Sequence, residues 1–271
     1  MRNRFHELIL AMAAMLAISP ALLAQAAPQG RAPKTATAAP TAASTPDLSG
    51  VWMRVQGRAG GRMEVPPMTP AGAEKYKVYA EATKGNVELR NLYDPVITSC
   101  TPPGPTRIGR SFEFIQTPSR VILLYETDHW VRQVWMDGRG HPKDLDVSWM
   151  GDSIGKYEGD TLVIDTVGLN DLTWLDNNGH PHSEALHVVE RYRRVNQKTL
   201  EGSMTWEDPQ MYSKPWTGKL IFQLDPDGKI VETVGCEDRK VQMMKNDPCN
   251  NGAWELNILC DERRQRLATG K

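Results

Sequence analysis

Apolar residues in this chain fall in short runs separated by Gly, Pro, Asn and Asp clusters. That punctuation predicts strands joined by tight turns. Gly50–Val55 is a first strand. Phe112–Gln116 and Arg120–Glu126 flank a Pro-Ser turn as a hairpin, and Trp130–Met136 ends at the turn dipeptide Asp137-Gly138. Asp152–Tyr157 and Thr161–Val167 flank Glu158-Gly159-Asp160. Ala185–Val195 and Thr199–Trp206 flank Asn196-Gln197-Lys198. Lys219–Leu224 and Lys229–Cys236 flank Asp225-Pro226-Asp227-Gly228. Sequential hairpins make an antiparallel meander, so the expected fold is all-β, the meander closing into a lipocalin-like barrel. One short helix is expected near residues 70–83: Thr69 can cap it, Pro70 suits its first turn, and good helix formers follow.

Alternation within one strand refines this picture. His187, Val189, Arg191, Arg193 and Val195 share a face, and Leu186, Val188, Glu190, Tyr192 and Arg194 share the other. Neither is cleanly apolar, whereas a sandwich strand needs one apolar face. A barrel with a partly polar lumen tolerates the mixture. A long strand whose end projects beyond the core accounts for it equally well.

The N-terminal region has a different pattern. Arg2 and Arg4 precede an apolar run from Leu8 to Ala24, and Ala24-Gln25-Ala26 has the small-x-small form of a cleavage site. Residues 1–26 therefore read as a secretory signal peptide. The alternative, an uncleaved anchor, has a run at the lower limit for spanning and broken by Pro20. Residues 27–46, rich in Ala, Pro and Thr, read as a disordered linker, and residues 47–271 as a single β-barrel domain. The expected location is periplasmic or secreted, with no membrane span after signal cleavage.

Without Arg2, Arg4 and Glu7, the 32 basic and 33 acidic residues become 30 and 32, a formal charge of −2. No basic stripe is present, so nucleic acid is not an expected partner. Four cysteines in an exported chain suggest two disulfides, and three pairings are possible. Cys249 and Cys260 close a short loop, so the preferred pairing is Cys249–Cys260 with Cys100–Cys236.

Candidate chemistry concentrates in residues 137–216. Four of the six histidines lie between 141 and 187, and Gly168–Glu184 is a long connection with no element of its own. Histidine beside a carboxylate is the usual equipment for proton transfer near neutral pH. The proton-moving candidates are His141 and His182, with Asp171 or Glu190 orienting them. Arg139 is the candidate for steadying developing negative charge. Trp149, Asp152, Asn170, Trp174, His187 and Trp216 are candidate substrate contacts. His180-Pro181-His182 with His187 is a rival metal motif for zinc or copper, short and prone to false matches. No cofactor is otherwise expected, since no phosphate loop, dinucleotide fingerprint or G-x-S-x-G is present.

Read together, Pro46–Trp52 (PDLSGVW), Asp137–Pro142, Trp149–Thr166 (WMGDSIGKYEGDTLVIDT), Asn170–Asp176 (NDLTWLD), Pro181–Arg194 (PHSEALHVVERYRR) and Glu207–Thr217 (EDPQMYSKPWT) are similar to a family of uncharacterised secreted bacterial β-domain proteins. The resemblance spans roughly residues 46–240 and implies an exported bacterial β domain. It adds no reaction. The expectation from the residues is a secreted enzyme, a lyase, isomerase or hydrolase acting on a small organic molecule. The alternatives are a non-catalytic small-ligand-binding barrel and a metal-dependent enzyme using His180, His182 and His187.

Overall fold

The computed structural model describes residues 45–55, 67–83, 93–107, 109–231, 235, 236 and 238. The expected signal peptide, nearly all of the expected linker and the expected Cys249–Cys260 pair lie outside the described residues. Nine strands form one closed barrel: β1 (Gly50–Arg54), β2 (Ser111–Gln116), β3 (Arg120–Tyr125), β4 (Val131–Trp135), β5 (Asp152–Glu158), β6 (Thr161–Val167), β7 (His187–Asn196), β8 (Thr199–Glu207) and β9 (Trp216–Asp225). Neighbours in sequence are neighbours in the wall, and β9 pairs with β1 to close the ring. Every join is antiparallel except β4–β5, a parallel contact through Trp135 and Ile154. The long connection between those strands makes a same-direction arrival possible, which a tight turn cannot do.

The expected meander is therefore present, with two differences, the first being the parallel β4–β5 join. Of the expected strand Lys229–Cys236, residues 229–231 carry no strand and 232–234 lie outside the described residues, and the free side of β9 is taken by β1.

Alternation along each strand sets the inside. Trp52, Phe112, Phe114, Leu123, Leu162, Ile164, Val188, Tyr192, Leu200 and Phe222 are buried. Aromatic rings fill the middle of the lumen edge to face, with Phe112 centred 5.1 Å from both Phe114 and Phe222. The mixed faces of β7 resolve cleanly: Val188, Glu190 and Tyr192 point inward, while His187, Arg191 and Arg193 lie on the outer wall.

The inward polar residues form one network. Arg132 Nη2 donates to Glu190 Oε2 (2.5 Å) and Thr166 Oγ1 (2.7 Å), and Arg132 Nε donates to Ser153 Oγ (3.1 Å). Tyr192 donates its hydroxyl to the other Glu190 oxygen at 2.8 Å. Burial opposes the Arg132 charge, but Glu190 beside it more than offsets this and raises the pKa.

The two barrel ends differ. Leu48 tucks into one, where the Gln116 side chain accepts from its amide (2.6 Å) and donates to the Pro46 carbonyl (2.9 Å). At the other lie helices α1 (Pro70–Thr83) and α2 (Pro95–Ser99) and the long connection after β6. Thr69 caps α1 as expected, its Oγ1 accepting from the Gly72 amide at 3.1 Å. Gly72 lets the helix dock, since a Cβ there would lie 2.2 Å from the Met211 carbonyl oxygen. A disulfide joins Cys100, just after α2, to Cys236. No described helix is long and apolar enough to cross a membrane.

Candidate functional site

Two groupings near the same end of the barrel carry chemistry, one on the outer wall and one in the mouth. Asp152 opens β5 and Asp165 lies in β6, both facing outward, since inward-facing Ser153 pairs with Thr166. The connection from β4 brings His141 between them. His141 Nδ1 is 2.6 Å from Asp152 Oδ2, and Nε2 is 3.1 Å from Asp165 Oδ1. His187, at the start of β7, places its Nε2 2.9 Å from the same Asp165 oxygen and its Nδ1 3.7 Å from Glu207. The result is a chain Asp152–His141–Asp165–His187–Glu207 along the outer wall, half-exposed. A carboxylate on one ring nitrogen fixes the imidazole tautomer and orientation, which is what proton transfer requires.

Of the expected site residues, His141, Asp152 and His187 are thus brought together. Asp165 was missed, although a lone carboxylate on the outer face of the apolar strand Leu162-Val163-Ile164 was a readable signal.

The structure places the remaining expected residues elsewhere. Glu190 is one residue of spacing away from the outer face, inside the barrel with Arg132. Asp171 receives a hydrogen bond from Lys75 of α1 at 2.9 Å, and Lys75 also donates to the His182 carbonyl. His182 is buried beneath the helix with its Nε2 2.9 Å from Thr173 Oγ1. Burial, reinforced by Lys75, pushes its pKa down to about 4 despite the Ser183 carbonyl nearby. His180 stacks on Tyr76 of α1 and lies 2.7 Å from Asp176, and Trp174 meets Tyr79 edge-on. The Tyr79 ring packs where a side chain on Gly179 (φ +76°) would be. Asn170 closes a local turn onto the Leu172 amide. Arg139 is exposed, paired with Asp137 and laid over the Trp135 ring at 3.9 Å. Trp149 is half-buried, and Trp216 is stacked on Trp206 in the core. Most of the long connection therefore fastens α1 to the barrel. Among the described residues, no group of three or more His, Cys, Asp or Glu is arranged to hold a metal ion, His180, His182 and His187 included.

The second grouping is a cavity of about 760 Å³ in the open mouth. Its wall is aromatic and apolar, with Tyr125, Trp130, Met204, Trp206 and Phe222 from the barrel, and its rim includes Ile97 of α2 and Leu175–Asn178 of the long connection. The indole N–H groups of Trp130 and Trp206 are buried and have no hydrogen-bond partner. Native proteins leave few such donors, and each costs about 1–3 kcal/mol. Beside the rim, Asp128 and His129 hold left-handed backbone (φ 54° and 52°), a conformation that costs of order 1 kcal/mol or more per non-glycine residue and clusters at ligand sites. The lining cations are Arg54, Arg107, Arg110 and Lys219. Arg107 is held by a bidentate pair with Asp94, whose carboxylate also caps α2. The lining carboxylates are Asp128, which has a partner of its own, and Asp176, held by His180. Burial works against an ionised Asp176, but His180 and the Asn178 and His180 amides outweigh it and keep the carboxyl below its ordinary range.

The chain matches no known family model and none of the curated proteins compared with it.

Proposed function

We propose that this protein is an exported barrel that binds a small organic molecule in its open mouth. The observation that carries the reading is the conjunction of an aromatic-walled cavity of about 760 Å³ with two indole donors that have no partner. The volume is that of ordinary ligand sites, and such sites combine apolar walls with a few convergent polar groups. An acceptor on the ligand supplies what Trp130 and Trp206 lack. The Cys100–Cys236 disulfide supports a periplasmic or secreted location, since such bonds persist in oxidising compartments.

The apolar fluorophore N-phenyl-1-naphthylamine is expected to bind saturably at one site per chain. Trp130→Ala, with its unfolding temperature checked, is expected to weaken that binding about tenfold. A protein that gives no saturable signal, or the same signal after Trp130→Ala, does not use this cavity.

A second reading has its own support in the 2.6 Å contact of His141 with Asp152. In it, His141 exchanges a proton with a small organic substrate, Asp152 fixes its ring, and the chemistry is that of a lyase, isomerase or hydrolase. A panel of esters, lactones and enolisable ketones tests it. For any compound turned over, His141→Gln is expected to lower kcat by about 10²–10⁴-fold. Turnover that survives this substitution removes His141 from the chemistry.

A further inference from the structure

The mouth of the barrel also specifies the charge of what it holds. In β1, Trp52 points into the barrel, and Arg54, two residues on, continues that face at the open end. In β2, Phe112 and Phe114 point inward, and Arg110 extends their face in the other direction. The register pairs Trp52 with Phe112 and Met53 with Ser111, so the next step sets Arg54 opposite Arg110. Their backbones are joined there, the Arg54 amide donating to the Arg110 carbonyl at 2.8 Å. Two like charges in directly opposed positions of an antiparallel ladder repel each other. Neither guanidinium has an ion-pair or side-chain hydrogen-bond partner among the described residues, and both line the cavity. Arg107 has Asp94, Asp176 has His180, and Asp128 has a partner of its own.

We infer that the ligand is an organic acid, an aromatic or apolar body carrying an oxyanion head group that lies between Arg54 and Arg110. The inference rests on the mouth being a binding site. A planar guanidinium offers a carboxylate, sulfonate or phosphate two parallel donors, and a pair of them relieves its own repulsion when an anion enters. The Trp130 and Trp206 indoles can only donate, so they too select oxygen acceptors over cations. The aromatic wall deeper in the mouth takes the uncharged body.

The test uses two probes that share an aromatic body and differ in a sulfonate: 1-anilinonaphthalene-8-sulfonate and N-phenyl-1-naphthylamine. The sulfonate is expected to bind at least tenfold more tightly, with the advantage shrinking as salt is raised. In the variant Arg54→Gln/Arg110→Gln the two probes are expected to bind alike, with the affinity for the neutral amine unchanged, which also reports that the mouth is still folded. If the neutral amine binds as well as the sulfonate, or the preference persists in the double variant, the acid inference falls and the binding site stands. If neither probe binds, both fall.

Discussion

Glu190→Gln is expected to lower the free energy of unfolding by about 3–5 kcal/mol, measured by urea denaturation at pH 7. The size follows from what the substitution strands. Arg132 and Glu190 have side chains 1% and 0% exposed, and Glu190 is the only carboxylate within ion-pair distance of Arg132 among the described residues. Without that partner a guanidinium remains buried in the lumen with no opposing charge within ion-pair distance among the described residues. Tyr192 keeps a partner in the amide, so the loss is one of charge more than of hydrogen-bond count. Replacing both partners by apolar residues of similar volume, as in Arg132→Met/Glu190→Leu, is expected to return most of the stability, because the cost of burying two charges goes with them. A Glu190→Gln loss below about 1 kcal/mol would mean that solvent reaches Arg132.

The second large effect is a pH dependence centred on His182. Its pKa is about 4 in the folded chain, against about 6.5 for an unfolded histidine. Between those values the unfolded chain holds a proton that the folded chain rejects, so acid favours unfolding. The contribution is complete above about pH 6.5 and is lost progressively down to about pH 4, amounting to about 3 kcal/mol. Carboxylates add to the same trend, so the diagnostic quantity is the difference between the wild-type protein and His182→Gln. The variant is expected to start less stable at pH 7 and to lose about 3 kcal/mol less between pH 7 and pH 4. Parallel pH profiles would show that His182 takes up its proton at the same pH in the folded and unfolded chains, contrary to the lowered value that burial under α1 gives it.

The strands were readable because their faces are punctuated by turn residues and their inward positions are aromatic or branched. The helix was readable from Thr69-Pro70. The closing of the ring was legible only as a preference, since the mixed faces of β7 suit a polar lumen and a projecting strand equally. Glu190 looks like an acid–base residue in sequence because its burial partner Arg132 is 58 residues away. His180, His182, Asp171 and Trp174 share the local composition of a reactive site, yet their partners are Tyr76, Thr173, Lys75 and Tyr79, most of them on a helix about 100 residues upstream. Composition reports which groups are present and not which face they share. The mouth was the least legible part. Arg54 and Arg110 are 56 positions apart and become neighbours only through the β1–β2 register.

That register belongs to a ring in which the first strand is bonded to the last. Its joins are laddered all round except at β4–β5, which share the single pair Trp135 and Ile154, so among the described strands the amides and carbonyls left free for another chain lie along that seam. Recognition by strand addition, the route many sheet proteins use to capture extended peptides, is thereby confined to that seam. Around the rest of the wall the groups on offer are side chains: the arginines and indoles at the mouth and the histidines and carboxylates along the outer face.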